Sequence, residues 1–443
     1  MTRHAPFASV VLVASALTVT PACSSSSSSG STVVAEAGTD AASARACTST
    51  EIAHADGTCG PADWAVACAD GFAPDPSGFG CRDVLPDAPC VGATRGALGQ
   101  TTCAPVGDCG AAFPPTNATL FVAAAGPSDA THFTTIGAAI AAASAGAVIA
   151  VDSGTYGENV DITKPISIVG KCPAEVVIDG AKTTGARGVY VDGTTGVAVS
   201  GVTITHQTLG VSIAPNSAVG LKHVVLEDNR DVGLALQQGS AKATLEDVVI
   251  RGTKEGAEPG FGINAQSGSE ITMSDTELVG NQSTAVRVSS SSKATITKSV
   301  IRDTAPSKLE AYGRGLVVQT GGSADISTTA FIGNEEVALV LNACTVKLSQ
   351  VVVRDTLPTP SGDFGRAIDA FDGGNFTADS CSFTSNRDVS IIAVNASATI
   401  TRSAIQATMP DGNGAFGRGI VLQEAAKLVL SGTAIVGASD AGI

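Results

Sequence analysis

A chain of 443 residues with 41 acidic and 26 basic side chains, formal charge −15, offers no lysine–arginine cluster with which to hold nucleic acid. Aromatic residues make up only 4% and charged residues 15%, yet 44% of the chain is hydrophobic. Its core must therefore be built from Val, Ile, Leu and Ala, which suits stacked strands, and its 50 scattered glycines suit a fold with many turns.

The chain opens with Arg3 and His4, followed by an apolar stretch from Phe7 to Val19. That stretch is shorter than the about 20 residues a bilayer span needs, so residues 1–22 are predicted to be a signal peptide. Thr20-Pro21-Ala22-Cys23 resembles a bacterial lipobox, which implies that Cys23 becomes the lipidated first residue. Thr20 stands where that family usually has Leu, and Ala22 also suits ordinary signal peptidase, which leaves plain secretion as the alternative. Residues 23–46, with the run Ser24–Ser29, read as a flexible tether. The expected location is the outer membrane or cell surface, with the membrane held by the lipid alone.

Seven cysteines follow: Cys47, Cys59, Cys68, Cys81, Cys90, Cys103 and Cys109. Cys59, Cys81 and Cys103 are each 22 apart, as are Cys68 and Cys90, so the segment repeats C-x8-C-x12. No C-x-x-C pair occurs, so no zinc site is expected. Residues 47–110 are predicted to form a small disulfide-rich module, either an adhesive unit or a stalk or cap for the next domain. Connectivity stays open. Seven is odd, so one of these cysteines is expected to pair with Cys172.

From residue 119 the texture changes. Leu120-Phe121-Val122 reads as a strand, Phe133 to Ala143 has apolar residues at helical spacing, and Ala147–Val151 reads as a second strand. Gly154-Thr155-Tyr156, Glu158-Asn159-Val160 and Ile166–Gly170 follow. This order resembles the opening segment of the pectin-lyase-like β-helix superfamily, including pectin methylesterases. The resemblance implies a short helix plugging the first coil and a right-handed parallel β-helix over 119–443. Its close part covers about 60 residues; the rest agrees in architecture.

Independently, a strand motif recurs at Ile204, Leu226, Ile250, Leu278, Ile301, Phe331, Val353, Phe383, Ile405 and Ile435. From Leu226 onward alternate copies lie 51 to 53 residues apart, so the unit is a pair of coils, one short and one with an inserted loop. The expected fold is all-β, with about 10–12 such coils. Ser439–Ile443 stops where earlier copies begin a strand, which reads as a C-terminal fragment or an end covered by another chain.

Asn229, Asn281, Asn334 and Asn386 occupy matching positions of alternate coils, with Thr253, Thr304, Thr356 and Thr408 in the coils between. A structural ladder at a bend is expected. The inserted loops end in Phe261-Gly262, Tyr312-Gly313-Arg314, Phe364-Gly365-Arg366 and Phe416-Gly417-Arg418, spaced 51 or 52 apart. In so aromatic-poor a chain these rings and guanidiniums suggest a groove that stacks sugars and pairs with acidic groups. The plainer alternative is that each ring packs under its own loop.

One coil departs from its copies. Asp369 and Asp372 stand where others have Val317 and Thr320, or Val421 and Glu424, and Arg366 is near. Alternation points Asp369 outward if Ile368 and Ala370 face inward. The superfamily resemblance implies that such acidic residues with Arg serve lyases and esterases. The Gly-His-Gly and Asn-Thr-Asp signatures of polygalacturonases are missing, and no histidine recurs in the repeat. Cys344 and Cys381 fall too far apart to bridge and are expected to be buried thiols. No cofactor is expected. The leading expectation is a non-catalytic surface lipoprotein contacting polysaccharide or a cell-surface protein. A polysaccharide lyase, esterase or hydrolase is the first alternative and a plain spacer the second.

Overall fold

In the main sheet neighbouring strands come from successive coils, while antiparallel pairs such as Phe72–Pro74 with Cys81–Asp83 are confined to the cysteine-rich segment. The computed structural model describes residues 51–53, 59–61, 68–182, 187–237 and 239–443. The expected signal peptide, Cys23, the tether, Cys47 and the side chain of Cys59 lie outside the described residues. One continuous sheet of 32 strands winds through the unit Ala46–Ile443, and its coil-to-coil pairings are parallel. Parallel crossovers within a sheet turn right-handed.

The ten repeat positions are one stacked column. Ile204 pairs with Leu226, then Ile250, Leu278, Ile301, Phe331, Val353, Phe383, Ile405 and Ile435 in unbroken register. Phe331 and Phe383 are fully buried, where one large ring fills the space that Ile fills in neighbouring coils. The helix Ile136–Ala142 covers the first coil with Ile136, Ala139 and Ile140. Its ends show why the sequence needs its flanks. The Glu158 carboxylate accepts the N–H groups of Ile136 and Gly137, both at 2.8 Å, while Lys164 donates to the Ile140 and Ala143 carbonyls at 3.0 and 2.8 Å. Acid at the start and base at the end both match the helix dipole.

The Asn column is structural. Asn229, Asn281, Asn334 and Asn386 are each 0% exposed. Asn334 accepts the Thr304 N–H and hydroxyl at 3.3 and 2.7 Å and donates to the Ile301 carbonyl at 3.1 Å. Asn386 makes the same three bonds to Thr356 and Val353. Each amide thus satisfies the backbone where the chain bends and a strand ladder cannot continue.

The described part of the cysteine-rich segment from residue 68 lies along the coils and not at an end of them, which differs from the expected stalk or cap. Residues 68–109 form a strap along one flank of the coils, running opposite to coil order. Ser77 and Phe79 bond to Gln406, and the Cys81 N–H donates to Ser382. Asp83 pairs with Arg354, Gly96 with Glu277, and Gly107 and Arg95 with Asp247. The physical cause lies in the sheet beneath. Its outward column, Val225, Val249, Glu277, Val300, Ala330 and Val352, is no more than 2% exposed and apolar except for Glu277, which takes the Gly96 N–H, so this sheet is largely hydrophobic on both faces and needs a cover. Phe72, Leu85 and Leu98 of the strap pack on Val300, Ala330 and Ile332.

Disulfides Cys68–Cys81 and Cys90–Cys103 each join residues 13 apart, and Cys109–Cys172 ties the strap to the β-helix, in line with the expected pairing of one of the seven with Cys172. Cys344 and Cys381 are buried thiols, and burial pushes them up to about 11 and about 12. No helix among the described residues is long and apolar enough to cross a membrane.

Two tests follow from these contacts. Replacing Asn334 by Ala strands a buried N–H and a buried carbonyl, so urea unfolding is expected to lose about 3 kcal/mol; a loss below about 1 kcal/mol would show that the ladder is dispensable. Burial would raise Asp247, but the Gly107 N–H, His223 and Arg95 outweigh it and hold the carboxyl below its usual range. A depressed folded value means stabilisation that is present at neutral pH and lost as pH falls through that value. The thermal midpoint should therefore drop less between about pH 7 and about pH 3 in Asp247→Asn than in the parent; equal drops would remove the clasp from the account.

Candidate functional site

The inserted loops lie beside the sheet whose inward residues include Leu316, Leu339, Ile368 and Ile391, all 0% exposed. Each loop returns to this sheet through its aromatic-Gly motif, which continues into Arg in the last three. Phe364 and Phe416 take left-handed backbone angles of 68° and 64°, and Gly365 and Gly417 follow at 106° and 105°. Only glycine fits the second position: a Cβ there would lie 2.6 Å from Arg387 Cβ or 2.7 Å from Ser439 Cβ. The motif is therefore first a way of turning the chain from loop into strand.

Each arginine folds back over its own ring. The guanidinium carbons of Arg314, Arg366 and Arg418 stand 3.7, 4.7 and 4.8 Å from the ring centres of Tyr312, Phe364 and Phe416. Each also pairs with an acid exactly one short coil on: Arg314 with Glu336 at 2.6 and 2.9 Å, Arg366 with Asp388, and Arg418 with Asp440 at 2.7 Å. Glu336 and Asp388 are 5% and 4% exposed, and their backbone carbonyls accept the N–H groups of Gly365 with Arg366, and of Gly417 with Arg418. One acidic residue thus clamps the arginine before it and the loop after it. These acids were not singled out in the sequence, although each sits 22 residues after its arginine, the length of a short coil.

Two expectations change. The guanidiniums are already engaged with carboxylates, so they do not offer free charge to an acidic ligand. Phe261 is 2% exposed, with Arg287 5.4 Å from its ring centre, and burial removes it from any contact surface. Tyr312 and Phe416 remain 38% and 49% exposed, and Phe364 is half-buried.

The candidate acids separate. Ile368 and Ala370 face the core and Asp369 points out, as alternation requires. Arg366 donates to Asp369 at 3.2 Å, so Arg366 holds both Asp369 and Asp388. Burial pushes the Asp369 carboxyl up; Arg366 and Arg314 pull it down, and the like charge of Asp388 adds to the rise. Asp372 is exposed in a left-handed turn with Thr320, Ala343, Asn395 and Glu424 at the matching bends. It is a turn residue, not a partner of Asp369. Among the described residues no group of His, Cys, Asp and Glu is arranged to hold a metal ion.

Residues 255–406 match the family model of the right-handed β-helix region, in keeping with the parallel coils of the structure. Among solved structures it is similar to the catalytic unit of an α-1,3-glucanase from Streptomyces thermodiastaticus, at 16% identity over 73% of this chain and 70% of that one, TM-score 0.47. An alginate lyase from Paenibacillus is 12% identical over 68% and 95%, TM-score 0.39. A pectin methylesterase in complex with a hexasaccharide is 13% identical over 54% and 80%, TM-score 0.35. Such likenesses are too distant to carry an activity to this chain. No curated protein matches it.

Removing Asp388 tests the charge arrangement. In Asp388→Asn a like charge leaves and Arg366 turns wholly to Asp369, so the Asp369 carboxyl should titrate lower in carbon-detected NMR. An unchanged or higher value would mean that burial alone sets it.

Proposed function

We propose that this chain is an exported surface protein, held by a lipid on Cys23, whose inserted-loop flank binds uncharged polysaccharide without turning it over. The observation that carries the reading is the row of Tyr312, Phe364 and Phe416, each ring backed by a guanidinium whose charge a carboxylate already balances. Successive rings recur every two coils, about 10 Å apart at the strand spacing of parallel sheets. That interval is close to one disaccharide of an extended chain, so alternate sugars could stack on successive rings. Three disulfides support an oxidising, extracytoplasmic location.

A second reading rests on Asp369, a mostly buried carboxyl raised from its usual range beside an arginine, a pattern that also marks catalytic acids. One experiment separates the two. The purified protein is incubated with cellulose, chitin, α- and β-glucans, pectate and alginate, and retention, reducing ends and unsaturated products are followed together. Retention on an uncharged polymer that falls about tenfold in the Tyr312→Ala, Phe416→Ala double variant, with no product, is the expected result. Retention untouched by the double variant would overturn the ring platform. Product that vanishes in Asp369→Asn would install the enzyme, and silence in every channel would leave a spacer.

A further inference from the structure

The outward face of the first coils holds a cavity that the flank row does not reach. One outward column there runs Phe121, Ala150, Val169 and Ser200 in register across four coils. Ala150 supplies only a methyl where its neighbours supply larger side chains, so a hollow opens above it. Phe113 and Pro114, where the chain leaves the strap, wall one side, and Phe121 walls the other with its ring stacked on His132 at 5.1 Å between centres. The resulting pocket has a volume of about 400 Å³. The chain has 13 Phe in all, and three of them, Phe113, Phe121 and Phe133, line this one hollow. Phe133 also packs against the core, but Phe113 and Phe121 do not, since the interior of the first coils is filled by Ile149, Val151 and Ile168, at 0–1% exposure.

The rim is polar. Asp152 ends the strand Val148–Val151 and Lys171 follows the strand Ser167–Gly170, placed side by side because the Lys171 N–H donates to the Val151 carbonyl. His132 adds an imidazole whose Nδ1 is already held by Asp129, both carboxylate oxygens lying at 3.1 Å. A ring wall, a methyl floor and a rim with one acid and one amine form a concave, mostly apolar site with a few converging polar groups. An aromatic wall suits the C–H face of a sugar, and the rim suits its hydroxyls. Lys171 Nζ is already paired with Glu175 at 2.8 Å, so the rim offers no free cation to an anionic ligand, and the Asp152 carboxylate suits a hydroxyl donor.

We propose that this pocket binds a single uncharged pyranose ring, as a terminal sugar or a free hexose. It is a separate site from the flank row and does not rest on that reading. The test is saturation-transfer NMR on the purified protein with glucose, galactose, mannose and N-acetylglucosamine as probes. At least one sugar should give a saturable signal. Ala150→Leu, which fills the hollow from an outward position, should weaken it at least tenfold, and Phe113→Ala, outside the coils, should weaken it too while thermal unfolding is unchanged. Tyr312→Ala and Phe416→Ala should leave it intact. No saturable signal from any of the four sugars would overturn the proposal, as would a signal that survives both Ala150→Leu and Phe113→Ala.

Discussion

Everything in this molecule depends on the hydrogen bonds that each coil makes to the coils on either side. A coil alone buries too little apolar surface to offset the ordering of its backbone, and its strands have no partners within the coil. Once stacked, the parallel ladder fixes a translation of about 4.8 Å and carries every side chain into register with its copies. The aliphatic columns, the Asn ladder and the arginine clamps are all products of that translation. Where the ladder breaks, at the bends, Asn229, Asn281, Asn334 and Asn386 take over its role by bonding the coil before them.

The same translation explains how much of the fold could be read from sequence. Ten repeat positions identified by spacing proved to be one stacked column, because a solenoid turns distance along the chain into position in space. Glu158 of the opening segment could be recognised by resemblance, and its role at the start of the plug helix is plain in the structure. The strap was harder to foresee. Its contacts join residues 140 to 329 apart, such as Gly107 with Asp247 and Ser77 with Gln406, and no local pattern encodes them. A signal did exist in the strands beneath it. Val248-Val249-Ile250, Ala330-Phe331-Ile332 and Val351-Val352-Val353 are apolar without alternation, the mark of strands covered on both faces.

The candidate site was legible in kind and misread in charge. The aromatic-Gly-Arg motif stood out because aromatics are rare, and the coil it occupies was placed correctly. Its carboxylate partners were overlooked because they differ in type, Glu336 against Asp388 and Asp440, although their offset is constant. Supplying those partners changes the chemistry of the flank: a row of free cations becomes a row of ring-bearing clamps with every guanidinium engaged. Asp372 illustrates the opposite error, since an acidic residue at a left-handed bend is there for its backbone, a conformation that Asp tolerates better than most.

The direction of the strap has a mechanical consequence. Its first disulfide loop sits beside the coils of Ser382 and Gln406, and its last residue is bonded to Cys172 near the beginning of the stack. A pull on the chain ahead of Cys68 would therefore not load the coils end to end. It would peel the strap from one edge, meeting the Asp83, Gly96 and Gly107 clasps in sequence and never all at once. The covalent bond at Cys109 would then stop the peel and pass the remaining force to Cys172. A tether attached at that side would yield in small steps while the β-helix behind it stayed folded.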